Sequence, residues 1–291
     1  MGERKQQQAS RGFTIIEVLI VLAVTGLIFL SASQLINGRQ NRTEFTQAVQ
    51  DIQSQIQQTS DDVINGFYPN AGDFKCQNSS GSLLITNGSY QNSQGTNSDC
   101  LFIGKFVQFS TSALFTTYPI IGLRQSASGQ ELTSLGGAQA SVLASKKVLG
   151  MGQLCGATCW LPLDSSPKQL EFGLSIVKIY YNNNPFNSAS TNQTGAIGFL
   201  SSLGSISGGT NTLNPGSQQV NIYAANPNSS PTNSDPVSVI NTYLATNPSP
   251  VNDIEICFSS GTTTQSGLIT LGGNGRQLST ALKVYSNTSC T

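Results

Sequence analysis

The sequence predicts an α+β protein in which one long N-terminal helix precedes an antiparallel, β-rich globular domain. Three observations predict it. Residues 13–36 are an apolar run with a single charge, and residues 37–66 continue with apolar residues at helical spacing. Residues 67–291 carry strand patterns separated by Gly, Asn, Ser and Pro. We expect the first half of the helix to be transmembrane and the second half to pack on the sheet.

The apolar run is long enough to cross a membrane. Between Phe13 and Ile36 the only charged residue is Glu17. At about 1.5 Å per residue these residues reach roughly 36 Å, which exceeds a hydrocarbon core of about 30 Å. A carboxylate inside hydrocarbon is costly unless it has a partner, so an acid in this position indicates function rather than packing.

A basic leader precedes the apolar run. Residues 1–12 are rich in Arg, Lys and Gln, and they end at Gly12. The order Gly12, Phe13 and then Glu17 four residues later resembles the type IV prepilin signal of the pilin and pseudopilin family. The resemblance implies that a prepilin peptidase cuts between Gly12 and Phe13 and that the new Phe13 amino group is methylated. It also implies that Glu17 pairs with the Phe13 ammonium of a neighbouring subunit during assembly.

The same resemblance implies a pilin-like fold, polymerisation with other pilin subunits through the helix, and an inner-membrane assembly platform. Gly26 also matches, whereas Gln34 stands where pilins often have Pro, so this helix should be less kinked. The large head, residues 67–291, favours a minor pilin or minor pseudopilin. We expect a single-pass cytoplasmic membrane precursor with its head outside the cytoplasm, and a pilus or pseudopilus location after assembly.

Two other interpretations account for part of the N-terminal segment. An ordinary secretory signal could use Ser31-Ala32-Ser33 as its cleavage site, but it would not carry an acid at the start of its apolar region. A membrane-anchored adhesin or binding domain that does not polymerise is the alternative function. That alternative does not explain Glu17, because an acid within the bilayer destabilises a helix whose role is only to anchor the protein.

The six cysteines favour disulfides, because the N-terminus directs export. A thiolate metal site is the rival interpretation, although the chain has no histidine to add to it. Six cysteines allow many connectivities, and the sequence does not choose among them. Our working hypothesis is sequential pairing, which joins Cys76 to Cys100, Cys155 to Cys159, and Cys257 to Cys290.

The composition argues against catalysis and nucleic-acid binding. The absence of histidine excludes Ser–His and Cys–His nucleophile pairs. Without residues 1–12 the chain keeps 11 basic and 13 acidic residues, so it has no broad positive surface. Asp253 and Glu255 lie two apart on a predicted strand, where a Ca²⁺ ligand pair is conceivable and a solvent-facing edge is the simpler interpretation. We expect no enzyme activity, no cofactor and no nucleic-acid partner.

The sequence patterns after the N-terminal helix predict a series of strands and one short helix. Both phases of the second half of Leu170–Tyr181 are apolar, so we expect that half to be covered on both faces. Pro119 predicts an edge position or a bulge, and Asp61-Asp62 is interpreted as a solvated helix face. Val237–Ala245 is predicted as a short helix. The predicted strands are Leu101–Phe109, Leu114–Leu123, Leu170–Tyr181, Ala196–Leu200, Val220–Ala224, Ile254–Phe258, Leu268–Leu271 and Leu278–Tyr285.

Overall fold

A computed structural model of the 291-residue chain divides into two compact units, Met1–Glu44 and Phe45–Thr291. The second unit is called the head below. The structure describes residues 14–66, 74–79, 82–87, 100–110, 114–123, 126, 128–130, 132, 134–148, 158–162, 168–181, 184–185, 195–202, 219–225, 236–261, 264–273, 278–287 and 290.

Helix α1 spans Ile15–Ile64, close to the predicted bounds. Within the head its apolar residues recur at steps of three, four or seven, and they are almost fully buried. The helix stops where Gly66 adopts a φ of 64°, a left-handed conformation that glycine takes without steric cost. The buried stripe consists of Phe45, Val49, Ile52, Ile56 and Val63.

In the described part of the chain the remaining elements are strands, one turn of 3₁₀ helix at Glu171–Gly173 and one further α-helix, α2 (Pro236–Ala245), which the sequence predicted. The strands are β1 (Phe74–Ser79), β2 (Ser82–Asn87), β3 (Cys100–Ser110), β4 (Leu114–Leu123), β5 (Ser141–Val142), β6 (Ala144–Val148), β7 (Thr158–Pro162), β8 (Lys168–Gln169), β9 (Leu174–Tyr181), β10 (Asn184–Pro185), β11 (Ala196–Ser201), β12 (Val220–Ala225), β13 (Asp253–Ser260), β14 (Ser266–Gly272) and β15 (Ser279–Tyr285).

These strands form two larger sheets and two ribbons. The six-stranded sheet has the order β12-β11-β3-β4-β5, with β8 also paired to β4. The five-stranded sheet has the order β10-β9-β13-β14-β15, and β1–β2 and β6–β7 are two-stranded ribbons. Every described strand pair is antiparallel, so the α+β class and the antiparallel sheets are confirmed.

The described residues of the head form two hydrophobic cores. The first lies where the second half of α1 packs on residues of both larger sheets, and the second lies between the six-stranded sheet and α2. Strand β3 contributes to both cores, so both of its faces are covered. At Gly104 of this strand a Cβ atom would collide with the Phe199 carbonyl oxygen, so the close approach of β3 and β11 requires glycine there.

One predicted strand is shorter and more exposed than expected. Glu171–Gly173 is a turn in which Phe172 and Gly173 have φ of 54° and 64°, and strand β9 begins only at Leu174. Val177 is 39% exposed, so the prediction of cover on both faces is wrong. The physical reason is topological, since the five-stranded sheet packs its core residues against α1 on one face.

Two smaller expectations concern Pro119 and the paired acids. Strand β4 has only two-residue partners on its outer side, β5 and β8, and Pro119 lies between them. That position tolerates a residue without an N–H group. Asp61 is exposed as predicted. For Asp62 the prediction of a solvated face is wrong, because its carboxylate pairs with Lys105 of β3 at 2.7 Å.

Candidate assembly site

The start of α1 holds the strongest sequence-predicted residue, Glu17. Thr14 precedes the helix, and its carbonyl accepts hydrogen bonds from the amides of Glu17 at 3.1 Å and Val18 at 3.2 Å. Its hydroxyl oxygen also accepts from the Glu17 amide at 3.4 Å. Thr14 is therefore the N-cap, and it satisfies amide groups that would otherwise have no partner in hydrocarbon.

This N-cap places Glu17 at the third helical position. A carboxylate in the first turn is favoured by the positive end of the helix dipole. The pattern Thr14, two apolar residues and then Glu17 also has the sequence form of a capping box. The capping role of Thr14 was not predicted from the sequence, although this four-residue pattern could have identified it.

Glu17 is exposed and surrounded by an apolar surface. The large apolar side chains from Ile15 to Leu30 are 47 to 83% exposed. Ile15–Ser33 is the one helix segment, among the described residues, that is long and apolar enough to cross a membrane. An exposed carboxylate on such a helix has no water to solvate it once the helix is inserted.

The other polar side chains of the apolar segment are satisfied within the helix. The hydroxyl of Thr25 donates to the Val21 carbonyl at 2.8 Å, and Ser31 donates to the Leu27 carbonyl at 2.9 Å. Such hydrogen bonds to the preceding turn remove the need for a partner in lipid. Glu17 is thus the side chain in this segment whose chemistry calls for a partner from elsewhere.

The remaining predicted site residues are distributed as follows. Gly12 and Phe13 lie outside the described residues. The pairs Cys76–Cys100 and Cys155–Cys159 also rest on side chains that the structure does not describe. Cys257 of β13 and Cys290 are joined by a disulfide with a Cα–Cα distance of 6.0 Å.

Asp253 and Glu255 both lie on β13 and are half-buried. The described residues contain no group of three or more acidic or cysteine side chains placed to hold a metal ion. Neither acid has a second carboxylate set opposite it on the paired strands, where Asp253 faces Gly272 and Glu255 faces Thr270 and Tyr180. Among the described residues, Asp253 and Glu255 therefore do not form a metal site.

These features define a class of protein: a helix of membrane-spanning length with an acid near its N-terminus and an antiparallel β head. Comparison with known families agrees, since residues 7–33 match the prokaryotic N-terminal methylation motif. This motif is the prepilin signal of type IV pilins and pseudopilins, so the chain carries that signal. Neither curated proteins nor solved structures gave a significant match.

Proposed function

We propose that the chain is a structural subunit, a minor pilin or minor pseudopilin, of a type IV pilus or a type II secretion-like fibre. The observation that carries the proposal is Glu17, an exposed acid in a membrane-length helix that also bears the methylation motif. An acid in this place has a function only if a cationic partner reaches it, and the partner that processing creates is the Phe13 ammonium.

Processing defines the proposed order of events. Residues 1–12 are the leader, and prepilin peptidase cuts between Gly12 and Phe13, after which the Phe13 amine is methylated. Residues 13–36 hold the precursor in the cytoplasmic membrane, and residues 37–66, the amphipathic half of the helix, support the β-rich domain of residues 67–291. The assembly platform then moves the subunit from the bilayer into the fibre.

The chemistry of assembly follows from the cost of isolated charges. In the bilayer a single subunit exposes the Glu17 carboxylate to hydrocarbon, and the helix dipole compensates only part of this cost. In the fibre the Phe13 ammonium of a neighbouring subunit neutralises the Glu17 carboxylate. Both charges are then paired in a bundle of apolar helices. A shift of one helix along its neighbour would separate the pair, so the pair favours one relative position of the two helices.

The β-rich part of the head, residues 67–291, supports a minor-subunit role by its size, since it contains 225 of the 291 residues. Its surface is poor in charge, because only 10% of the chain is charged against about 25% in typical globular proteins. A head covered with amide and hydroxyl groups suits contacts between neighbouring subunits. It also suits the alternative function, a membrane-anchored binder that does not polymerise.

Fractionation of native cells separates the two functions. Surface fibres sheared from the cells and purified should contain the processed chain, and a strain lacking the prepilin peptidase should retain only precursor in its membranes. A processed chain that stays in the membrane fraction while other pilins assemble into fibres would contradict the proposal and favour the membrane-anchored binder.

A further inference from the structure

Ser60 of α1 is a buried residue whose hydroxyl has no partner on its own helix. Its side chain is 3% exposed, and its hydroxyl oxygen makes no hydrogen bond to any described residue. Other hydroxyls of α1 donate to the preceding turn, as Thr59 does to the Gln55 carbonyl at 2.8 Å and Ser33 to the Leu30 carbonyl at 2.9 Å. Buried polar groups are nearly always paired, so the Ser60 hydroxyl requires a partner from outside the helix.

Ser60 lines a small cavity between α1 and the start of β15. The apolar walls of the cavity include Ile56, Phe199 and Leu271, each of which is 1% exposed. The space open to the centre of a water molecule is about 10 Å³. By the same measure, one water molecule needs about 10–15 Å³. The cavity therefore holds a single water-sized group and nothing larger.

Thr280 of β15 supplies a second hydroxyl to the same cavity. Its hydroxyl oxygen accepts a hydrogen bond from the side-chain amide of Gln53 at 3.1 Å. Because a hydroxyl both donates and accepts, this contact leaves the Thr280 hydrogen to be donated elsewhere. The cavity thus has one hydroxyl from the helix and one from the strand, and each of them lacks an acceptor.

The polar groups of the cavity suit a water molecule. A buried water typically makes about three hydrogen bonds to polar groups that lack other partners. Ser60 and Thr280 are two of these groups, and the exposed acid Asp61, which also lines the cavity, is an anionic acceptor. Divalent cations take six or more oxygen ligands, and the described residues contain no group of three or more acidic or cysteine side chains placed to hold one.

We propose that this cavity is a binding site for one ordered water molecule that joins α1 to β15. The hydroxyls of Ser60 and Thr280 donate to the water oxygen, and the water donates to the Asp61 carboxylate. The water adds a second polar link to the direct hydrogen bond between Gln53 and Thr280. Both links fasten the start of β15, a strand at the edge of its sheet, to the long helix.

The test is a double-mutant cycle on the full-length chain in detergent, measured by urea unfolding. Ser60→Ala and Thr280→Val each remove one hydroxyl from the cavity. We expect Ser60→Ala to lower the equilibrium constant for folding about tenfold in the wild-type chain, and less than about threefold when Thr280→Val has already broken the bridge. Loss of the Gln53 hydrogen bond is common to both backgrounds that carry Thr280→Val, so it cancels.

Ser54→Ala is the matched control, because Ser54 is an exposed serine of the same helix outside the cavity. It carries the gain in helix propensity that any Ser→Ala change brings, so the tenfold loss for Ser60→Ala is taken relative to it. The effect of Ser54→Ala should be the same in the wild-type and Thr280→Val chains. A crystal structure of the full-length chain should show an ordered water between the Ser60 and Thr280 hydroxyls.

Two results would overturn the inference. If Ser60→Ala folds as well as Ser54→Ala or better, the Ser60 hydroxyl is buried without a partner, because removal of an unpaired buried hydroxyl is stabilising. If the effects of Ser60→Ala and Thr280→Val add, the two hydroxyls share no water. Both measurements are made on single chains, so neither depends on whether the chain enters a fibre.

Discussion

Lys105 Nζ, on strand β3, donates to Asp62 Oδ2 in the last turn of α1 at 2.7 Å. The lysine side chain is 11% exposed and the aspartate side chain 28%. A lysine in a strand covered on both faces would be strongly disfavoured without a partner. The pair therefore fixes the end of the long helix against the six-stranded sheet, where the head begins to build its core.

Removal of the lysine should destabilise the head. Lys105→Met leaves the Asp62 carboxylate half-buried without compensation, and we expect a loss of about 1–3 kcal/mol, below the roughly 3–5 kcal/mol of a fully buried pair because Asp62 retains some solvent. The loss in the free energy of unfolding is measured by urea unfolding of the detergent-solubilised chain, monitored by circular dichroism. The exposed Lys283→Met should change stability by less than about 0.5 kcal/mol. Equal losses in both variants would contradict the role of the pair.

The Cys257–Cys290 disulfide should stabilise the head by restricting the unfolded chain. The two cysteines are 33 residues apart, and closing a loop of that size contributes about 3–4 kcal/mol in the chain-entropy model. Cys290→Ser should lower the free energy of unfolding by that amount. Peptide mapping without reduction should recover the two cysteines in one linked fragment, and stoichiometric zinc on unreduced native protein would contradict the disulfide assignment.

Alkaline pH should destabilise the head through Tyr243. Burial raises the pKa of this phenol above its ordinary value of 10.0, and a hydrogen bond with the Ala224 backbone lowers it less. The folded state then keeps a proton that the unfolded state releases, so the stabilising contribution is present below pH 10 and is lost as the pH rises beyond it. Unfolding free energies between about pH 8 and pH 11 should fall for wild type and fall less steeply for Tyr243→Phe.

The apolar run was sufficient to predict a continuous helix of membrane-spanning length, because a long uninterrupted run of apolar residues without proline favours a helix. The strands from Ala196 onward were predicted well, since alternation and β-branched residues mark them. The turn at Phe172 was not predicted. Its residues continue the apolar alternation of β9, and only the tertiary path from one sheet to the other makes the chain bend there.

The Lys105–Asp62 pair, the ribbons β1–β2 and β6–β7, and the two-residue strands β5, β8 and β10 were also missed. From the sequence alone, Lys105 in a strand pattern and Asp62 near a helix end are both expected to face solvent. Only the packing of α1 on β3 brings them together. Two-residue strands, and ribbon strands of five or six residues, carry too few side chains on each face for the alternation to be recognised. The capping role of Thr14 is different, since its signal was present in the sequence and required only the capping-box pattern.

Processing should occur between Gly12 and Phe13. The mature chain purified from native cells should begin at Phe13 and carry one methyl group on its amine, as intact mass and N-terminal fragmentation will show. Gly12→Leu should leave only the precursor, because the bulky side chain blocks the peptidase. A mature chain that begins after Ser33, or that retains Met1, would instead identify a secretory signal or an uncleaved anchor.

The most direct measurement is the amount of Glu17→Ala chain in sheared fibres relative to membranes, compared with wild type and with Glu44→Ala. Glu44 is an acid of the same helix whose carboxylate accepts from Gln40 at 2.9 Å. Without Glu17 the neighbouring Phe13 ammonium stays buried without its partner, at a cost of roughly 3–5 kcal/mol. We predict normal membrane insertion and a fibre content below about a tenth of wild type for Glu17→Ala, with wild-type content for Glu44→Ala. Equal fibre content for all three chains would contradict Glu17-directed assembly.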